Sequence, residues 1–144
     1  MPGLTRRRRH GDAAETAAVR FLESLGWRVL ARNIVVGRDE IDIVALDPGP
    51  PAEIACVEVR SNATSRFGAP EESVVGRKVR RLYRSMAALR SDLALSGGGV
   101  WPAGGTLPRH ITWRVDLVTV EMAPSLGPSS GGPRIRHLRR VDPA

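Results

Sequence analysis

The chain has 144 residues, 42% of them hydrophobic, with one cysteine, one lysine and a formal net charge of +7. That length suits a single domain with a real core. The lone Cys56 excludes an intramolecular disulfide and a multi-cysteine zinc site, and no apolar run approaches the ~18 residues of a membrane-crossing helix.

The basic balance favours an anionic partner, nucleic acid before an acidic membrane surface, although Arg-rich coding bias produces the same composition. Met1 to His10, with its run Arg6–Arg9, reads as a disordered basic arm that either steers the protein to phosphates or is simply solvated. No apolar segment follows it, so no secretory signal is expected and the chain reads as cytoplasmic. The spacing predicts a first helix over 11–25. Asp12 is its candidate N-cap, with Glu15 three residues on, Ala14, Ala18, Phe21, Leu22 and Leu25 form an apolar stripe, and Gly26 is the stop. Glu15 borders that stripe, as a capping acid or as a carboxylate leaning toward the strands that follow. Trp27 to Val36 reads as a strand with an irregularity at Asn33.

The stretch from Gly37 to Ser61 carries the chemistry. It reads GRDEIDIVALD, a break at PGPPA, then EIACVEVRS. In an extended strand, residues two apart share a face, so Glu40 pairs with Asp42 and Glu58 with Arg60. A hairpin brings carboxylates of both strands together. Acids are rarely buried without compensation, which points to a cation between Asp42 and Glu58. Cys56, between Ala55 and Val57, reads as a buried structural thiol. Residues 61–69 have loop composition. A second helix is expected from Pro70, its stripe formed by Val75, Val79, Leu82, Met86, Leu89 and Leu93. Lys78 sits at the edge of that stripe, free either to snorkel to solvent or to reach into a site. Residues 96–110 form a Gly/Pro loop, 111–122 a further strand, 123–133 a linker and 134–141 a basic tail. The core domain is thus expected over 11–122, with 123–144 as linker and tail. The order α-β-β-β-α-β gives an α/β fold with a mixed sheet flanked by helices.

Magnesium prefers oxygen ligands and usually takes only one or two carboxylates plus water and phosphate oxygens. Asp42 and Glu58 suit it, with the Val59 carbonyl as a third oxygen. A metal held there activates water and stabilises a phosphodiester in flight. Arg60 stays protonated, so it is no general base, but it can clamp a phosphate. A plain salt-bridge cluster of Asp42, Glu58 and Arg60 accounts for the same spacing.

The blocks HGDAAETAAVRFLESLGWRVLARN, DEIDIVALD, IACVEVRS and FGAPEESVVGRKVRRL, in this order and spacing, resemble the YraN family. The resemblance runs from about His10 to Met122, and the tail IRHL also matches the family's ending. These small bacterial proteins are similar to restriction endonucleases in their expected fold and are related to archaeal Holliday-junction resolvases. The resemblance implies a Mg²⁺- or Mn²⁺-dependent nuclease core of the Asp…Glu-x-Lys type. Asp42 takes the place of the first metal acid and Glu58 of the second, while Glu15 resembles the helix-borne acid of the resolvases. Glu40 belongs to a Gly-Glu-Ile-Asp block in which Asp39 replaces a frequent glycine. Arg60 stands at the lysine position, and Lys78 matches a lysine of the second helix that can supply the missing ammonium. Arg66, Arg77, Arg81 and Arg84 are the candidate phosphate contacts.

Two functions follow as expectations. One is a metal-dependent endonuclease on DNA, branched or single-stranded. The other is a nucleic-acid-binding module with a nuclease fold and little or no catalysis. Oligomeric state is left open, a homodimer included.

Overall fold

The computed structural model describes the backbone of residues 6–62, 72–95, 110–121 and 132–143, and the side chains of 12–61, 76–93, 110–121 and 132–143. Along the chain run α1 (Arg6–Ser24), β1 (Arg28–Val36), β2 (Asp39–Asp47), β3 (Glu53–Asn62), α2 (Glu72–Leu95), β4 (Thr112–Glu121) and β5 (Arg134–Leu138). The five strands form one sheet in sequence order. β1, β2 and β3 make an antiparallel meander. β3 and β4 are parallel, which requires the crossover that α2 supplies. β5 returns antiparallel along β4.

Each face of the sheet carries one helix. Ala14, Ala18, Val19 and Leu22 of α1 pack on Ile43, Ala45, Ala55, Val57, Val118 and Val120. Val79, Leu82, Met86 and Leu89 of α2 pack on Val44, Ile54, Cys56 and Val115. The apolar run in β3 therefore serves both cores alternately, as expected of a strand covered on both sides. The result is an α/β fold with a mixed central sheet, consistent with a restriction-endonuclease-like arrangement.

α1 ends at a glycine stop. Gly26 adopts φ +85°. The Gly26 N–H donates to the Glu23 carbonyl at 2.9 Å and the Trp27 N–H to the Leu22 carbonyl at 3.1 Å. This paired closure satisfies carbonyls that the helix end would orphan. Trp27 then packs beside Leu22 in the core, which sets where β1 begins.

Two boundaries differ from the sequence expectation. α1 starts at Arg6, so Arg6–His10 are helical and Asp12 lies inside the helix instead of capping it. An interior Gly11 costs only about 1 kcal/mol of helix propensity, and nothing else in that run breaks a helix. The basic tail also differs: Arg134–Leu138 is a strand of the sheet, so the core domain does not end at 122. Ile135 packs on the α1-side core, and His137 meets Phe21 and Trp27 edge-on, with ring centroids 5.8 and 5.3 Å apart. The start expected at Pro70 and the loop around Trp101 lie outside the described residues.

Candidate functional site

The β2–β3 ladder runs from Asp47–Glu53 to Ile43–Val57 and ends there. Continued by one pair, the same register sets Asp42 opposite Glu58. The strands fork at that point, and the Asp42 carboxylate takes the Val59 N–H at 2.9 Å, in place of a strand carbonyl. β2 is irregular at the same place. Ile41 and Ile43 are two residues apart, yet Ile41 packs in the α2-side core and Ile43 in the α1-side core. Strict alternation forbids that. Across the ladder, the Asn33–Asp42 pair is missing between Arg32–Ile43 and Ile34–Ile41, and Asn33 adopts a left-handed φ of 53°. The irregularity expected at Asn33 is therefore present, and it turns Asp42 out of the regular pleat.

Asp42 and Glu58 line the same cavity and shift each other's protonation. Burial, then the Asp42 charge, pushes the Glu58 carboxyl up to about 8, partly offset by Lys78 and Arg60. Burial also raises Asp42, against the lowering effect of the Val59 N–H. One proton shared by two facing carboxyls is the usual outcome when no cation separates them. Lys78 Nζ stands 4.0 Å from Glu58 Oε1. Both acids open onto a cavity of about 220 Å³, also lined by Arg38, Asp39, Lys78 and Arg81.

The other expected residues fall in different places. Arg81 lines the cavity and pairs with Asp39 at 3.6 Å. Arg77 and Arg84 are exposed. Helical spacing turns them away from the buried stripe of α2. Arg66 lies outside the described residues. Glu15 is buried under α1, on the other side of Asp42, where Arg32 donates to it at 3.2 Å. Burial raises its carboxyl, and Arg32 opposes that shift. It feels the charge of Asp42 but does not line the cavity. Arg60 is half-buried, and its Nη1 is sequestered with no hydrogen-bond partner among the described residues. Cys56 is fully buried, and burial pushes its thiol up to about 12, as expected for a structural cysteine.

The donor set decides which ions fit. Among the described residues no three His, Cys, Asp or Glu side chains converge as metal ligands. That does not fit structural zinc, which wants four protein ligands. Two carboxylates at an open cavity fit magnesium or manganese, which complete their shells with water and phosphate oxygens.

A second charged cluster escaped the sequence reading. On β4, Arg114 grips Asp116 through Nε at 3.0 Å and Nη2 at 3.2 Å. Arg114 Nη1 donates to Asp47 at 2.8 Å. Asp116, with no exposed surface, also meets His137 Nε2 at 2.8 Å and accepts the Arg140 N–H at 3.1 Å. Arg140 additionally bonds Glu53. These contacts hold the Asp116 carboxyl below its usual range against its burial. Trp27 lies under the Arg114 and Arg139 guanidinium groups at 4.9 and 5.3 Å. The signal was legible: Arg114 and Asp116 stand two apart in a largely apolar strand, the same spacing that flagged Glu58 and Arg60.

No helix among the described residues is long and apolar enough to cross a membrane. Residues 14–120 match the model of the "Uncharacterised protein family UPF0102". A UPF0102 protein of Mycolicibacterium vanbaalenii is 36% identical over 98% of this chain and 99% of its own length. One from Mycobacterium sp. strain KMS is 35% identical over 91% of this chain and 83% of its own. A third, from Moorella thermoacetica, reaches 44% over 65% of this chain and 75% of its own. The chain belongs to UPF0102, the YraN family.

Proposed function

We propose that this protein is a divalent-metal-dependent nuclease acting on DNA phosphodiesters. The observation that carries the reading is the meeting of Asp42 and Glu58 at the β2–β3 fork, facing an open cavity beside Lys78. Asp42 and Glu58 would hold magnesium or manganese, with the Val59 carbonyl as a further oxygen. When bound, the ion activates water and neutralises charge on the phosphate. The chain's own groups do the rest. The Val59 N–H fixes the Asp42 carboxylate in one orientation. Lys78, close to Glu58, supplies the ammonium that offsets charge building on the phosphate in flight. Arg60 cannot accept a proton, and its half-buried guanidinium adds positive charge beside Glu58. Glu15 acts from the far side of Asp42, through the charge that the two acids sense in each other.

The test is cleavage of branched and single-stranded DNA with Mg²⁺ or Mn²⁺. Wild type is expected to cut. Asp42→Ala and Glu58→Ala should each abolish cutting, and Lys78→Ala should lower it by roughly 10²–10³-fold, the scale of losing one preorganised charge donor. Cleavage that persists in both acid variants defeats the reading.

Arg60 at the lysine position favours a second reading, a binding module with the same fold and no turnover. In that case wild type binds DNA with a steep salt dependence and cuts nothing, and Arg60→Lys creates activity where none existed.

A further inference from the structure

The sheet face that carries Glu58 continues sideways onto β4 and β5. Paired residues of neighbouring strands point the same way. The registers therefore give two rows beyond the candidate site. One is Arg60–Thr119–Arg136 and the next is Glu121–Arg134. Leu138 lies opposite Leu117 on the same face, in the row that also holds Glu58. α2 packs across β1 to β4 on this face, and beyond it Arg134, Arg136 and Leu138 are exposed, Leu138 by 53%. Neither Arg134 nor Arg136 makes an ion pair among the described residues.

The alternation along β5 has a purpose beyond packing. Ile135 and His137 point to the α1-side core, so the arginines and Leu138 all fall on the site's face. Two strand spacings separate Arg60 from Arg136, about 10 Å, and Arg134 follows about 7 Å further along β5. These cations form a line that begins beside Glu58. Among the described residues no acid interrupts it before Glu121, which sits opposite Arg134 in the outer row.

We infer that this line of the sheet, Arg60–Arg136–Arg134, is the track for the phosphate backbone of one nucleic-acid strand leaving the Asp42–Glu58 site toward β5. The inference rests on the proposed nucleic-acid substrate, and it assigns the strand to the open sheet face instead of the outer face of α2. Among the described residues the track carries no aromatic platform. Leu138 offers an apolar surface to sugars or bases, and binding is led by the backbone and tolerant of sequence.

The test is binding of a short fluorescent single-stranded DNA to the full chain, titrated against salt in chelator with no divalent ion, so that turnover plays no part. Wild type is expected to bind. Arg134→Gln with Arg136→Gln should weaken binding and flatten the log–log salt slope by about 0.7 for each phosphate no longer neutralised. Arg136→Lys keeps the charge and should stay near wild type, which separates a missing cation from a damaged fold, and thermal unfolding of every variant is recorded alongside. Arg77→Gln with Arg84→Gln, on the outer face of α2, and Arg20→Gln, on α1, should leave the slope unchanged. A slope that moves with the α2 pair and not with the β5 pair overturns the track and leaves the nuclease reading standing. Binding through β5 with no cleavage under any metal leaves the track standing and removes the nuclease. Wild type that binds no DNA in chelator overturns the track.

Discussion

At Asn33 the backbone is left-handed, where a side chain other than Asn, Asp or Gly is costly. The position faces Asp42 across the ladder, and the same break frees Asp42 from the pleat. Asn33→Ala is therefore expected to be less stable than Asn33→Gly by about 1–2 kcal/mol in urea unfolding. Comparing these two variants cancels the loss of the amide, which also lowers the Glu15 carboxyl. Glu58 makes a different kind of prediction. Its carboxyl sits at about 8 in the folded chain and near its ordinary value when unfolded. Between those values the folded state holds the extra proton, so stability falls as pH rises through the window, by at most about 1.4 kcal/mol per pH unit. In metal-free buffer Glu58→Gln should flatten that decline. A wild-type curve that rises from pH 5 to 8 with no change in Glu58→Gln would show that the carboxyl is not held neutral. Asp116 has the opposite sign. Its contribution is complete above the ordinary carboxylate range and is lost as pH falls through its lowered folded value.

Among elements, β4 is the one whose polar residues carry the most. Arg114 and Asp116 are almost fully buried in a strand whose other buried residues are Val and Leu. They are bonded to each other and to β2 and β5. Removing one partner of such a set leaves a charge without compensation, at a cost of about 3–5 kcal/mol. Asp116→Ala should lose that much in urea unfolding, and hydrogen exchange should reveal early opening of β5. The turn at Arg140, itself left-handed with φ 53°, carries the chain across the end of the sheet. There Val141 bonds Val115 at 2.9 Å, and Tyr83 of α2 donates to the Val141 carbonyl at 2.7 Å. One segment thus touches β4 and the helix that bears Lys78. β5 also closes the sheet with a short, charged edge, the kind that discourages pairing with another chain.

For the molecule as a whole, the candidate site could be read in part from two simple periods. Strand register carries Asp42 and Glu58 to the end of the β2–β3 ladder, although alternation in β2 breaks there, and helical spacing in α2 brings Lys78 beside Glu58. The two cores follow the same logic in most positions: Ala14, Ala18 and Leu22 of α1 and Val79, Leu82, Met86 and Leu89 of α2 are buried as the stripes expect, but Leu25 is exposed and Val19 is buried instead. The break at Asn33 was legible as a position, but not that it would send Ile41 and Ile43 to opposite cores. β5 was hidden because RIRHL reads as a charged tail when its partner is unknown. Its inward positions are an isoleucine and a histidine whose cost of burial is met by Asp116 on another strand. The start of α1 was hidden because a capping pattern at Asp12 and Glu15 competes locally with simple continuation of the helix. The late arrival of β5 also bears on biosynthesis. A ribosome delivers Asp116 well before it delivers His137 and Arg140, so during that interval a carboxylate destined for the interior has only Arg114 from its own strand and must stay near water. The nascent sheet should remain protease-sensitive until β5 clears the exit tunnel, and a release-time protection assay on stalled chains would register the step.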